Sequence, residues 1–326
     1  MPDVTAVSVE EITDPTLANE GVDWIDLDAV TLQSRPLRAL RVTVRLAHAT
    51  VLFHSVNLRV RTRTRVHDGQ IAYVTFGPTA RGTVNGMSLQ PGMMLATAAD
   101  AEARFVVEAG WESVTFLLPP RDIRTHLRTR QRESEFRQPS GLELLQVQPD
   151  KVRACFHWGK RLAQAAAARP TLFDTSERKR AAAEVELVET LLTTLGAADD
   201  FRPTRGDRSR QAQSRIVRTA EDYALGHVGE PLYVTDLCRA AAVSERKLEY
   251  AFKAVLGLAP VAFLSRLRLH RARQSLLAAV PGSTTVAAEA LHWGFWHLGD
   301  FSRAYKACFA ELPSETLRRK PPASPR

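Results

Sequence analysis

Between Ser244 and Lys253 the chain places Glu245, Arg246, Lys247, Glu249, Tyr250 and Lys253 around Leu248 and Phe252, and Leu256 extends the apolar series at i, i+4, i+8. On a helix of 3.6 residues per turn that series gathers on one face and leaves the donors and acceptors on the other, behind Ser244 as a good N-cap. Arg, Lys, Glu and Tyr on one narrow polar face can hydrogen-bond to base edges in a nucleic-acid major groove, about 12 Å wide, or to its phosphates. Glu245 and Glu249 have two uses there, accepting from cytosine N4 or pairing with nearby Lys and Arg, and spacing does not choose between them. Lys253 suits a phosphate contact or a solvated charge better than a base.

The pattern returns. Leu248, Phe252, Leu256 and Pro260 recur as Phe301, Tyr305, Phe309 and Pro313 at a constant offset of 53 residues, and Lys253 and Lys306 obey the same offset. Repetition of a whole unit is harder to obtain by chance than one such stretch. The second copy offers His297, Leu298, Gly299, Asp300, Arg303 and Lys306. Leu298, Gly299 and Asp300 give little hydrogen bonding to bases, which leaves His297 and Arg303 as its polar readers and puts more of the sequence choice on the first copy. Phe252, Trp293, Phe295 and Tyr305 read as core.

Other chemistries find no support. Ser, His and Asp are scattered without a nucleophile elbow or phosphate loop, so no catalytic residue is assigned. Cys155, Cys238 and Cys308 lie too far apart in the chain for a disulfide framework or paired zinc spacing. The strand region has only His48, His54 and His67, with no H-x-H pair and no further His before His126, so neither metal nor cofactor is expected. Arg59, Arg61, Arg63 and Arg65 alternate with Val60, Thr62, Thr64 and Val66. That arginine face has two readings. It is a charged strand edge turned to solvent, or Arg59, Arg61 and Arg63 line a pocket for an anionic effector such as an aromatic carboxylate.

The elements that must position the two polar faces are short helices. Leu237 and Ala241 share one helical face, Val243 falls in a turn, and the 244–256 helix follows, a helix-turn-helix pattern. Residues 261–279 form a long helix with Phe263, Leu267, Ala272 and Leu276 inward and Arg266, Arg268, Arg271 and Arg273 on its other side. Such a connector would fix two recognition helices for successive groove segments, about 34 Å apart. Charge agrees: residues 205–326 hold 19 Lys and Arg against 11 Asp and Glu, while residues 1–204 are balanced at 25 of each. An excess confined to one segment is either an electrostatic footprint for phosphate or a solvated basic surface.

Before that segment the period is two. The run 56–67 alternates Val56, Leu58, Val60, Thr62, Thr64 and Val66 against Asn57, Arg59, Arg61, Arg63, Arg65 and His67, and further short strands are separated by Asp68-Gly69, Gly77-Pro78 and Pro91-Gly92 turns. Closely spaced strands suggest an antiparallel sandwich or barrel. Segments 150–168 and 176–195 read as helices, and 198–210 has linker composition. The expected layout is an α+β chain: an arm over 1–36, a barrel with a helical pair over 37–200, a linker over 201–210, an all-α domain over 211–320 and a disordered tail over 321–326. The apolar stripe of the helical pair either joins two protomers or packs on the barrel. No apolar run reaches the roughly 20 residues of a membrane span and the acidic start has no signal-peptide pattern, so no membrane partner and a cytoplasmic location are expected.

The segment from Pro231 to Ala278, followed by 290–319, resembles the DNA-binding domain of AraC/XylS-type transcription regulators. The resemblance lies in Ser244, Leu248, Phe252-Lys253, Gly257 and Pro260, then Arg268-Leu269, Arg271-Ala272 and Leu276-Leu277, then Gly294-Phe295, Phe301-Ser302-Arg303, Tyr305-Lys306 and Pro313. It implies that Arg246, Glu249 and Tyr250 face bases from the first recognition helix and that Leu298, Gly299, Asp300 and Arg303 take the equivalent places in the second. It implies double-stranded promoter DNA and RNA polymerase as partners, with homodimer formation and a small-molecule effector. Gly86, Leu89 and Pro91-Gly92 resemble the cupin-like barrel that precedes this domain in many such regulators. Two departures stand out: Ala242 replaces the usual turn glycine, and Glu289 takes the place of a buried aliphatic. The competing readings are a cupin-type enzyme with a basic helical appendage and a helical module for an acidic protein.

Overall fold

The computed structural model describes residues 5–19, 22–196, 198–227, 230, 232–280 and 282–319. Its strands are β1 Val7–Ile12, β2 Ile25–Thr31, β3 Ala39–Arg45, β4 Thr50–Val56, β5 Val60–Val66, β6 Ile71–Phe76, β7 Gly82–Val84, β8 Met87–Ser88, β9 Met93–Thr97, β10 Glu102–Val107, β11 Trp111–Leu118, β12 Leu142–Val147 and β13 Ala198–Asp200. The helices are α1 Pro120–Arg128, α2 Pro149–Ala168, α3 Thr171–Asp174, α4 Glu177–Leu195, α5 Arg205–Gly226, α6 Val234–Ala240, α7 Glu245–Leu256, α8 Pro260–Ala278, α9 Val286–His292, α10 Leu298–Phe309 and α11 Pro313–Arg318. This is the expected α+β arrangement, antiparallel sheet first and helices last.

The strands form an eight-stranded sheet in the order β1-β3-β4-β11-β6-β9-β12-β13 and a five-stranded sheet in the order β2-β5-β10-β7-β8. Apolar residues of both sheets meet in one core that includes Val56, Leu58, Val60, Val74, Leu95, Val107 and Trp111. On the outer face of the larger sheet, Val51, Phe53, Val114 and Phe116 pack against Val152, Cys155 and Phe156 of α2 and Leu187, Val188 and Leu191 of α4. The sheet therefore covers Val188, Leu191, Leu192 and Leu195 of the stripe, while Val185 stays exposed. Among the described residues no single helix is long and apolar enough to cross a membrane.

Three expected boundaries move. Residues 1–36 are not a separate arm: β1 pairs with β3 from Val7 opposite Val44 to Ile12 opposite Ala39, and β2 pairs with β5 from Ile25 opposite Val66 to Thr31 opposite Val60. The 56–67 run is not one strand, because β4 ends at Val56 and β5 starts at Val60. The Asn57 side chain accepts from the Arg38 N–H at 2.7 Å and donates to the Pro36 carbonyl at 3.2 Å, turning the chain there. The expected linker shortens, since α5 starts at Arg205. Thr204 Oγ1 accepts from the Asp207 N–H at 3.2 Å while Asp207 Oδ2 accepts from the Thr204 N–H at 2.9 Å, a capping box inside a stretch that looks like linker by composition. The expected tail over 321–326 lies outside the described residues.

Candidate nucleic-acid interface

Each helical unit is built around an apolar strip that hides one side of a recognition helix. In the first, Leu248, Ala251, Phe252 and Leu256 of α7 pack with Val217 and Ala220 of α5, Leu237 of α6 and Phe263 and Leu267 of α8. In the second, Phe301 and Tyr305 of α10 pack with Leu269, Ala272 and Leu276 of α8 and Ala290 of α9, flanked by Trp293 and Phe295. Trp293 also donates its indole N–H to Ser275 Oγ at 3.1 Å. The four aromatics read as core thus serve as core.

The other faces point outward. Ser244, Glu245, Arg246, Lys247, Glu249, Tyr250 and Lys253 are exposed on the first unit, and His297, Leu298, Gly299, Asp300, Arg303 and Lys306 on the second. Ser244 has N-cap backbone geometry, yet its side chain makes no capping bond. Asp300 and Arg303 form an ion pair along α10. Both departures from the family pattern are accommodated. Ala242 adopts φ +52, a left-handed conformation, so the turn keeps its shape and the alanine carries the strain. Glu289 lies in the first turn of α9, where its carboxylate accepts from Thr284 Oγ1 at 2.8 Å and complements the helix dipole.

The basic residues behind these faces do not form an open strip. On α8, Arg266 donates to Ser34 Oγ at 2.8 Å, Arg271 pairs with Asp28 at 3.2 Å, and Arg268 is half-buried beside Gly294, where burial lowers its pKa. Arg273 is 4% exposed and ties Asp14 at 2.6 Å to Glu311 at 2.5 Å, with the Tyr305 hydroxyl at 3.1 Å. This row, read as an outward basic side, mostly binds the amino-terminal domain.

The arginine face of β5 is the other half of that interface. Arg59 donates to the Leu256 carbonyl at 2.9 Å and the Val255 carbonyl at 3.2 Å, satisfying the open end of α7. Gly257 suits this place, since its φ of +72 is left-handed and a Cβ would lie 2.3 Å from Arg59 Nη1, forcing that guanidinium to shift. Arg61 pairs with Asp28 at 3.1 Å and with Glu221 of α5. Arg104 reaches Glu221 at 3.1 Å and Asp222 at 2.8 Å, and Arg63 reaches Glu102 at 3.0 Å. Burial pushes the Glu102 carboxyl up, but hydrogen bonds from Arg104 and Arg63 outweigh it and hold it at about 2. Arg59 and Arg61 of this face are thus taken up by the helical domain, while Arg65 is half exposed and Arg63 and Arg65 line an open polar recess with Asp26, Asp28, Glu102 and Arg271.

An apolar cavity lies on the opposite side of β5. It measures about 150 Å³ between the sheets, and Val60, Thr62, Thr64 and Val66 line it together with His54, Arg41 and Trp111. Burial, aided by the Arg41 charge, keeps the His54 imidazole neutral by lowering its pKa to about 4. Among the described residues no cluster of three His, Cys, Asp or Glu could hold a metal ion. Local patterns gave no sign of the Arg59, Arg61, Arg104 and Asp14 contacts, since their partners lie in distant parts of the chain.

A helix-turn-helix domain family matches residues 237–319. The chain is 39% identical over 137 residues to the probable thc operon regulatory protein of Rhodococcus erythropolis, spanning 41% of each protein. It is 31% identical over 106 residues to the XylDLEGF operon transcriptional activator 3 of Pseudomonas putida, spanning 32% of this chain and 31% of that one. In both curated relatives the match therefore spans less than half of the protein. Among solved structures, a probable AraC family transcriptional regulator from Rhodopseudomonas palustris CGA009 is 38% identical, spanning 33% of this chain and 98% of that one, with a TM-score of 0.30. Through its carboxyl-terminal double helix-turn-helix domain, this chain belongs to the AraC/XylS-type transcriptional regulators.

Proposed function

We propose that the protein is a sequence-specific transcription regulator that reads two successive major-groove segments of promoter DNA with α7 and α10. The observation that carries this reading is the pair of helices 53 positions apart, each buried on its Leu/Phe or Phe/Tyr side and exposed on its polar side. In the first helix Arg246, Glu249 and Tyr250 face bases, while Ser244, Lys247 and Lys253 hold the backbone. In the second, His297, Leu298, Asp300 and Arg303 face the groove and Lys306 a phosphate.

The apolar cavity with its buried Arg41 and neutral His54 favours a small, largely apolar effector. Contact with RNA polymerase, pairing of protomers and work in the cytoplasm belong to the same reading, which the operon-regulator names of the relatives support.

The test is selection of bound duplexes from a random pool by the full chain, followed by affinity measurements across salt concentrations. An enriched sequence bound about 10³-fold or more above random duplex supports the reading. Uniform, purely salt-dependent binding refutes it.

A further inference from the structure

The two helix-turn-helix units differ by one residue in their turns. In the first, the Ala242 N–H donates to the Arg239 carbonyl at 3.2 Å, Val243 to Cys238 at 3.0 Å, and Leu248 to Ser244 at 2.9 Å. In the second, Gly294 donates to Leu291 at 2.9 Å, Phe295 to Ala290 at 2.8 Å, and Phe301 to His297 at 3.0 Å. The turn bonds are offset by 52 residues and the helix bond by 53, so the second turn holds one residue more. Phe295 takes the inward place of Val243, Ser244 corresponds to His297, and the additional residue is Trp296.

That tryptophan is 62% exposed, and Leu298 beside it is 43% exposed. Leu298 opens α10 where Glu245 opens α7. The first recognition helix thus begins Glu-Arg-Lys and the second Leu-Gly-Asp, behind an extra indole. Among the described residues a Cβ at Gly299 would meet nothing within 4 Å, so none of them calls for a glycine there, and its absent side chain lets another surface approach the helix backbone. The isobutyl group has no polar atom and the indole a single N–H donor, so most of this surface offers nothing to phosphate or to hydrogen-bonding base edges. The apolar feature of a major groove is the C5 methyl of thymine.

We propose that Trp296 and Leu298 read thymine methyl groups, making the second unit an apolar reader beside a polar first one. Leu298, Arg303 and Lys306 are all exposed on α10, with Trp296 exposed two residues before it, so one docking of the helix can bring them to the same groove. The proposal rests on the DNA-reading function above.

The probe is a duplex selected from a random pool by the full chain, with each thymine replaced in turn by deoxyuridine, which removes only the methyl. The wild-type chain is expected to lose about four-fold in affinity at each thymine that is read, the value of one buried methyl. Trp296→Ala combined with Leu298→Ala leaves both cores intact, so the variant should melt like the wild type and bind thymine and deoxyuridine duplexes alike. Leu298→Met should keep the discrimination. Indifference of the wild-type chain to deoxyuridine at every position overturns the proposal, as does discrimination that persists in the double variant. A pool without any enriched sequence is a different failure, overturning the DNA-reading function and this proposal with it.

Discussion

Arg273 gives the sharpest test of how the two domains hold each other. It is a guanidinium 4% exposed, Asp14 beside it is 8% exposed, and Glu311 on its other side is 11% exposed. Thr316 Oγ1 donates to Glu311 at 2.6 Å and shares the Tyr305 hydroxyl at 2.8 Å, so the charges sit in a closed set of hydrogen bonds. Arg273→Met removes the cation that joins both carboxylates; Asp14 keeps the Thr16 N–H and hydroxyl and Glu311 keeps Arg319 and Thr316, so the cost is about 3 kcal/mol, the lower end for a broken buried pair. Asp14→Asn is milder, because Arg273 keeps Glu311. It loses one charge-assisted bond, about 1.5–3 kcal/mol. Urea unfolding followed by tryptophan fluorescence reads both, since Trp24, Trp111 and Trp158 report one domain and Trp293 and Trp296 the other. Combining the substitutions should give a result at least about 1 kcal/mol from additive. A cost below about 1 kcal/mol for Arg273→Met, the range of exposed pairs, or strict additivity would refute the reasoning.

Ala242 and Ala310 hold left-handed backbone at φ +52 and +60, so Ala242→Gly and Ala310→Gly should each raise stability by about 1 kcal/mol, seen as a higher urea midpoint. His54 and His270 are buried with pKa values lowered to about 4 and about 3, mainly by desolvation. The unfolded chain takes up these protons from about pH 6.5 downward while the folded chain does not, so stability present above pH 6.5 should fall toward pH 4 by up to about 1.4 kcal/mol per unit for each histidine. His54→Gln should roughly halve that slope, and a flat profile between pH 6.5 and 5 would contradict it. On a selected duplex, Arg246→Ala should cost about 1–3 kcal/mol and relax one base position. Lys253→Ala and Lys306→Ala should weaken all duplexes alike and lower the salt slope by about 1 each.

How much of this was legible depended on the range of the interactions. The recognition helices could be read because Leu248, Phe252 and Leu256 mark a face within three turns, and the constant offset to Phe301, Tyr305 and Phe309 doubled the signal. The helical pair was legible as helices, but whether its stripe met a sheet or a second protomer was not, because both partners demand the same apolar residues. β1 escaped notice since Val7, Val9 and Glu11 alternate too briefly to stand out, and its pairing with β3 is what makes it a strand. The arginine rows are ambiguous in the sequence for a stronger reason. A row of like charges predicts solvent, phosphate or an anion equally well until the acids that meet it are known. Asp14 meets Arg273 across 259 residues. No window of sequence contains both.

Those long-range pairs give β5 two roles that its period of two cannot separate. Val60, Thr62, Thr64 and Val66 line the cavity, while Arg59 and Arg61 hold the end of α7 and the side of α5. A shift of one residue along the strand would exchange the faces, so cavity lining and helix contact are fixed by the same register. The second unit is joined in the same way. Arg273 holds Asp14, and the next residue, Pro15, lines the cavity. The helix α7 is therefore one side chain, Arg59, away from a backbone segment that walls the cavity, and α10 is two away, through Arg273 and Asp14. An occupant there can alter the helices only by favouring one arrangement of these contacts over another. If loss of Asp14 and loss of Arg273 prove independent, the second of these routes does not exist.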